Sequence, residues 1–439
     1  MKKSSIILII AQFIISGIAF AQESPPLRLT LGEAVQLALR QNPQVQLANL
    51  SVAQSVQDGA AARAGLFPQA SLSAFDAVQR KNLEAFLGTR IPGQPQHVGP
   101  FQTFQAGPQF SFPVFDLTLW RTWQASRYGV RAEEAQELTV REQTVLLVAS
   151  HYLGGLRAAA NVREAQSRAD LAQALYAQAV ELQNEGISTG LDTLRANVQL
   201  QNEKQRLIAA KTQREITLFG LARLLNLDPH RKLELADEME FSETPEPAVA
   251  ESLESAFANR PEVKSLESRE QMLRAERRAA SEARLPRVNI GGEWAYQGVS
   301  ASTAIPSYRY QVSVDLPLFT GGRLRAERVK AEIKLKKVAR EMEELRSQIA
   351  LEVKTAHAQL ESARNEVEVA NLGATLARQE VGQAQERFLA GVASNIEVVS
   401  AQDALARAND NQIDALYRYN QARADLARAT GRVEKLYTP

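Results

Sequence analysis

The sequence carries the same landmarks twice in the same order, and this duplication constrains the fold more than any other feature. Pro43 and Pro68 recur as Pro261 and Pro286, 218 residues on. FPVF at Phe112–Phe115 recurs as LPLF at Leu316–Phe319, 204 on, and LAR at Leu221 recurs at Leu426, 205 on. GISTGLDTL from Gly186 recurs as GVASNIEVV from Gly391, again 205 on. EAVQLALRQNPQVQ from Glu33 and ESLESAFANRPEVK from Glu251 open the two copies. Self-similarity of this kind is read before any element is assigned. The change of offset places 14 extra residues in the first copy, between Pro68 and Pro113, around RKNLEAFLGTRIPGQPQHVGP. The length of 439 residues suggests two or three domains, but the pattern describes one unit used twice.

Each copy alternates two periods. Tyr308, Tyr310, Val312, Val314 and Leu316 alternate with Arg309, Gln311, Ser313 and Asp315, the period of a half-buried strand. Val288, Ile290, Trp294 and Tyr296 alternate with Asn289, Glu293 and Gln297, and VSASTAIPS joins the two runs as a hairpin. In the first copy Phe104, Ala106, Phe110 and Phe112 alternate with Gln105, Gly107, Gln109 and Ser111, after a weaker strand from Ala70 to Val78. Strands of about ten residues with aromatic ends have the length and girdles of lipid-facing strands. Long helices fill the rest. One stripe runs Leu345, Ile349, Val353, Ala356, Leu360, Ala363, Val367, Ala370, Ala374, Ala377, Val381, Ala384 and Phe388. Its steps of three and four average about 3.6 residues, between a straight helix and a left-handed coiled coil. A second runs Ala401, Leu405, Ala408, Gln412, Ala415, Tyr419, Ala422 and Leu426. The uninterrupted run between Gly322 and Gly391 corresponds to roughly 100 Å of helix. Gly186, Ser188 and Thr189, like Gly391, Ser394 and Asn395, mark a break and a new helix start. The pair Gly154-Gly155 reads as a local bend or a close packing point.

Lys2, Lys3, an apolar run of about 15 residues and Ala19-Phe20-Ala21 together read as a secretory signal peptide. No other stretch approaches the roughly 20 apolar residues of a spanning helix. If the chain enters a membrane it does so as a closed barrel, the other structure that satisfies the backbone in lipid. Four strands cannot close one, because the smallest membrane barrels have eight. The 51 Lys+Arg nearly cancel the 50 Asp+Glu, which argues against a nucleic-acid partner. Zero Cys excludes disulfides, thiolate metal sites, a Cys nucleophile and a lipidated N-terminal Cys. His151 and His357 each stand alone on a helix, and no catalytic, phosphate-binding or metal motif stands out, so neither an enzyme nor a cofactor is expected.

The duplicated openings at Pro43 and Pro261, FPVFD and LPLFTGG after the strands, and GISTGLDTL and GVASNIEVV resemble the TolC-like outer-membrane factors over residues 28–436. The resemblance implies an α+β membrane protein. Its parts are a long antiparallel α-helical coiled-coil barrel and four strands per chain joining a homotrimeric 12-stranded β-barrel, with an internal twofold repeat. It implies an exit duct of a tripartite efflux pump or type I secretion system, in the Gram-negative outer membrane and extending into the periplasm. The partners would be outer-membrane lipid, a periplasmic adaptor and an inner-membrane transporter. The competing reading is a soluble periplasmic coiled-coil scaffold or adaptor.

The expected division begins with residues 1–21 as signal peptide. Residues 22–227 form the first copy, with strands about 69–80 and 101–115 and helices about 32–66, 116–185 and 190–226. Residues 228–250 are a linker or equatorial segment. Residues 251–439 form the second copy, with strands about 287–298 and 308–319 and helices about 251–284, 322–390 and 395–431. Pro68, Pro113, Pro286 and Pro317 are expected at the four strand–helix junctions. By the resemblance, the tip of the helical tunnel gates the duct through Glu397 and its counterpart Asp192, beside Gly186, Gly391 and Phe388. The Arg and Tyr that lock some members correspond here to Ala393 and Phe388, and a second ring acid to Ser400, so closure needs other contacts. Glu397 can equally be a solvated carboxylate favoured at a helix start.

Overall fold

The computed structural model describes residues 26–90, 92–186, 189–228, 231–242, 247–390, 392 and 395–438, without the side chains of Phe86, Phe388, Leu389 and Asn395. The signal peptide, Gly391 and Ala393 lie outside the described residues, and of Phe388 only the backbone is described. The elements in order are β1 (Leu27–Leu29), α1 (Leu31–Gln41), α2 (Pro43–Ala64), β2 (Gln69–Asn82), α3 (Leu83–Leu87), β3 (His97–Phe115), α4 (Leu117–Asn184) and α5 (Gly190–Leu224). There follow β4 (Leu233–Leu235), α6 (Val249–Asn259), α7 (Pro261–Glu282), β5 (Arg287–Gly298), β6 (Ile305–Asp315), α8 (Arg323–Leu389), α9 (Asn395–Ala429) and α10 (Val433–Tyr437). They form two compact units, one of residues 47–140 and 257–350, the other of the remainder.

The first unit holds an antiparallel sheet of order β2-β3-β5-β6. Among the described residues, β2 and β6 each pair on one side only. The register sorts the side chains into rows. Ala70, Phe110, Gly292 and Tyr310 share a row, and so do Phe112, Ile290 and Val312. The alternate rows hold Ser71, Gln109, Glu293 and Arg309, and Gln69, Ser111, Gly291 and Gln311. One face of the sheet is therefore apolar and the other polar, as the sequence alternation requires. Gly107 sits where β3 and β5 come close: a Cβ there would lie 2.2 Å from the Trp294 carbonyl oxygen.

The second unit packs its core around Ala34, Val35, Ala38, Val145, Val148, Tyr152, Leu221, Leu225 and Val433. The long-helix stripe is buried as its spacing demands: Ile349, Val353, Ala356, Leu360, Ala363, Val367, Ala374, Ala377 and Ala384 are all inside. So are Ala401, Ala415, Tyr419, Ala422 and Leu426 on α9. Helix α4 passes Gly154-Gly155 unbroken, and the pair is a packing point: a Cβ on Gly155 would lie 2.7 Å from Leu235 Cδ1. His151 packs on Gly220, and burial lowers its pKa. His357 bonds Ser252 Oγ at 2.9 Å.

Several boundaries differ from expectation. The helices expected at 32–66 and 251–284 are each broken, at Asn42 and at Arg260, because the following proline supplies no N–H and disfavours helix before it. Asn42 covers the break by donating to Leu224 O at 2.8 Å and accepting from Gln44 N–H at 2.8 Å. Pro68, Pro286 and Pro317 lie at junctions, but Pro113 lies inside β3, opposite Asn289. The β2 ladder has ended at Ser111 by then, so the missing N–H removes no bond on that side. Strand β6 covers 305–315 rather than 308–319, beginning at Ile305-Pro306, because an edge strand tolerates a proline. The extra residues of the first copy lengthen β2 and β3 beyond the expected 69–80 and 101–115 and add the short α3. The expected linker contains β4, which pairs in parallel with β1.

Candidate functional site

Two features carry the functional geometry: the faces of the sheet and the turns of the helical hairpins. The apolar face of the sheet is exposed, with Leu72 at 81%, Tyr308 at 73% and Val312 at 68%. Large apolar side chains in one contiguous patch mark an interaction surface. The band runs from the row of Phe115, Val288 and Val314 to the row of Ala74, Ala106 and Tyr296. Those rows are eight residues apart on β5, about 27 Å along the strand and about 21 Å across the band at a 40° tilt, near the height of a lipid-facing band. In the next row Asp76, opposite Phe104, stands on this face and accepts from Gln102 Nε2 at 2.5 Å, the first charge met along the band. The polar face carries Glu293, paired with Arg309 at 3.4 Å and hydrogen-bonded by Gln105 at 3.2 Å.

At the turns, α4 ends at Asn184 and α5 begins at Gly190, while α8 ends at Leu389 and α9 begins at Asn395. Gly186 takes φ +76°, a left-handed conformation that a residue without Cβ adopts without strain. Asp192 lies in the first turn of α5 and accepts from the Thr189 hydroxyl at 2.6 Å and backbone N–H at 3.3 Å. Glu397 lies in the first turn of α9, and Arg387, in the last turn of α8, reaches it at 3.1 Å. Both ends of that pair are more than two-fifths exposed, so it contributes little stability in water. Ala384, Val398 and Ala401 close the hairpin behind it.

Beside the turns a groove of about 370 Å³ runs between the helices, lined by Arg168, Asp192, Arg195, Glu203, Ile396 and Gln402 among others. Arg168 fixes it, donating to Glu164 at 3.2 Å, Asp410 at 2.8 Å and the Ala406 carbonyl at 2.8 Å. Glu203 Oε2, Gln402 Nε2 and Asn409 Oδ1 are buried in the groove wall without a partner among the described residues.

Asp192 thus belongs to the groove, whereas Glu397 is not part of its lining and faces Arg387 instead. Gly391 and Ala393 cannot be placed, since they lie outside the described residues. Two residues that organise these turns escaped the sequence reading. Arg387 could have been found as a cation closing one helix just before an acid opening the next. Arg168 has no such signal, since one arginine among many on a helix reads as solvated.

A sequence profile of the family described as "Outer membrane efflux protein" matches residues 34–227 and 252–432. The pyoverdine export outer membrane protein OpmQ of Pseudomonas putida is 28% identical over 334 residues, which covers 72% of this chain and 68% of that protein. OpmQ of Pseudomonas aeruginosa is 24% identical over 418 residues, covering 91% and 85%. Among solved structures, the Campylobacter jejuni CmeC outer membrane channel superposes with a TM-score of 0.81 at 18% identity, covering 92% of this chain and 86% of that one. VceC of Vibrio cholerae superposes with a TM-score of 0.76 at 16% identity, covering 92% and 96%. At such identities the structural likeness is one of fold.

Proposed function

The chain belongs to the outer membrane efflux protein family, and on that premise we propose how its own residues make the duct. It is an outer-membrane efflux channel of the Gram-negative envelope, extending into the periplasm. The family is one of channels rather than enzymes, and its members work as trimers with adaptor and inner-membrane pump partners. The soluble scaffold reading is not favoured, because the relatives are outer-membrane proteins and the apolar sheet face is bare.

Three copies each give four strands to a closed 12-stranded barrel, and the twofold sequence repeat supplies the strands and helices in pairs. The observation that carries this reading is a sheet with an exposed apolar face and, among the described residues, an unpaired outer edge on both β2 and β6. An open edge in lipid leaves backbone groups unsatisfied, and closure with further copies removes the cost. The polar face, with Glu293 and Arg309, lines the lumen.

Glu397, present three times around the axis, forms the acidic ring of the gate, and Arg387 holds it where other members use the positions of Ala393 and Phe388. A ring of carboxylates favours cations. The adaptor meets the groove near the turns, where Glu203, Gln402 and Asn409 keep hydrogen-bonding capacity. The pyoverdine-export relatives favour a small-molecule pump over polypeptide secretion.

The test of the gate is conductance in a planar bilayer. Glu397→Ala lowers cation selectivity, and Arg387→Ala raises the closed-state conductance. Unchanged selectivity in the first and unchanged conductance in the second would remove both residues from the gate.

A further inference from the structure

Three arginines in the unit that carries the sheet share one groove and have no carboxylate partner among the described residues. Arg63 on α2 and Arg127 and Arg131 on α4 line a groove of about 670 Å³ with Phe67, Trp123 and Val130. Each guanidinium lies over an aromatic ring: Arg63 over Phe67 at 5.6 Å, Arg127 over Trp123 at 5.5 Å, and Arg131 over Tyr128 at 5.6 Å. In every pair the ring is the member nearer the strands along the chain. Phe67 precedes β2, and Trp123 and Tyr128 stand between the end of β3 and their arginines. All three cations therefore lean toward the strand ends. Nearby arginines are used differently: Arg121 is held by Glu282 at 3.0 Å and Arg287 by Asp116 at 3.7 Å. One acid, Glu134, lines the groove with the three cations, so the groove is net positive.

The side on which the groove opens follows from the helix contacts. Helix α4 meets α2 where Leu119, Ser126 and Val130 face Gly65 and Gly59. It meets α7 through the Arg121–Glu282 pair, Gly129 against Met272, and the Ala132 carbonyl, which accepts from Ser265. At about 100° per residue these two contact lines stand about 130° apart around the α4 axis. Trp123, Arg127 and Arg131 sit on the wider arc, which in a closed ring of helices is the convex outside. Trp120 packs edge-on against Trp123 at 4.9 Å, and paired indoles beside an apolar band mark a membrane interface.

We propose that this groove binds the headgroup of an anionic phospholipid from the leaflet that meets the strand–helix junctions. Guanidinium forks match phosphate oxygens in pairs of hydrogen bonds, and stacking on the rings holds them in place before binding. The aromatic floor takes the glycerol and upper acyl chain. The membrane side of the site rests on the barrel reading, whereas the groove itself is built within one chain.

The test uses the full-length protein in detergent with equal amounts of phosphatidylglycerol and phosphatidylcholine, read by native mass spectrometry. The wild type retains phosphatidylglycerol in preference to phosphatidylcholine. The triple variant Arg63→Gln, Arg127→Gln, Arg131→Gln loses that retention by roughly tenfold or more. The double variant Arg277→Gln, Arg278→Gln, which removes two exposed arginines of α7, leaves it unchanged. Equal retention by the triple variant, or an equal loss in the control, overturns the site. Complete displacement of the lipid by millimolar inorganic phosphate assigns the groove to the free ion and overturns the lipid proposal. The same spectra count chains: single chains that keep the lipid would sink the barrel reading and spare the site.

Discussion

Placing a charge on the apolar face of the sheet should cost far more than placing it one residue away. Val312 shares a row with Phe112 and Ile290 and is 68% exposed, whereas Gln311 shares a row with Gln69, Ser111 and Gly291 on the other face. Counting rows on β6 from Val314 to Pro306, the middle of the band falls at Tyr310, so Val312 lies about 5 Å from the midplane. An arginine on the lipid face costs about 2–4 kcal/mol at the midplane and little at the interfaces. Val312→Arg should therefore lose about 2 kcal/mol per chain, and three times that in a trimer. Gln311→Arg should stay within about 0.5 kcal/mol. The assay is folding into lipid vesicles across a urea series, followed by the shift between unheated and heated bands on a denaturing gel. Equal losses from the two substitutions, or a larger loss from Gln311→Arg, would refute the assignment of the faces.

Two further outcomes follow from buried polar groups. The Tyr152 hydroxyl is fully buried and lies 2.8 Å from the Leu29 carbonyl and 2.9 Å from the Asp237 carboxylate, which also accepts from Leu31 N–H at 2.7 Å. Tyr152→Phe should cost about 1–3 kcal/mol in a urea titration, and no loss would show that β1 and β4 are held without it. Burial raises the pKa of Asp425 above its ordinary 3.8, with Gln421 opposing the shift by donating at 3.0 Å. An acid with a raised folded-state pKa weakens the fold once pH rises through that value. Asp425→Asn should thus melt later than wild type at pH 7 and together with it near pH 3. A difference that grows toward low pH would reverse the sign and contradict the burial.

Much of this architecture is legible in the residues because period reports burial directly. The stripe from Ile349 to Ala384 is buried nearly position by position, and the alternation from Tyr308 to Val314 gives the row order of the sheet. What escaped rests on partners distant in the chain. The three-residue strands β1 and β4 are too short to show a period, yet they pair across more than 200 residues. Pro113 looks like a junction in the sequence, and its place inside β3 depends on where the β2 ladder stops. Glu397 is reached through the family resemblance and Asp192 through the repeat, whereas Arg387 comes to light only when the two helix ends are set beside each other. The groove of Arg63, Arg127 and Arg131 is invisible in a chain with 51 Lys+Arg, because nothing in the order of residues says which cations lack an acid.

The central claim is that β6 of one copy pairs with β2 of the next until three chains close a ring. The chain contains no cysteine, so disulfide trapping has no background. Ser73→Cys on β2 can be combined in turn with Ser307→Cys, Arg309→Cys, Gln311→Cys and Ser313→Cys on β6, all on the polar face. Neighbouring strands lie about 4.8 Å apart, within the Cα separation a disulfide spans. One of these registers should yield products of two and three chains on a non-reducing denaturing gel, ending at a circular trimer, while each single-cysteine variant runs as one chain. An absence of bonds between chains in every register, or a ladder continuing past three, would contradict the closed trimeric barrel.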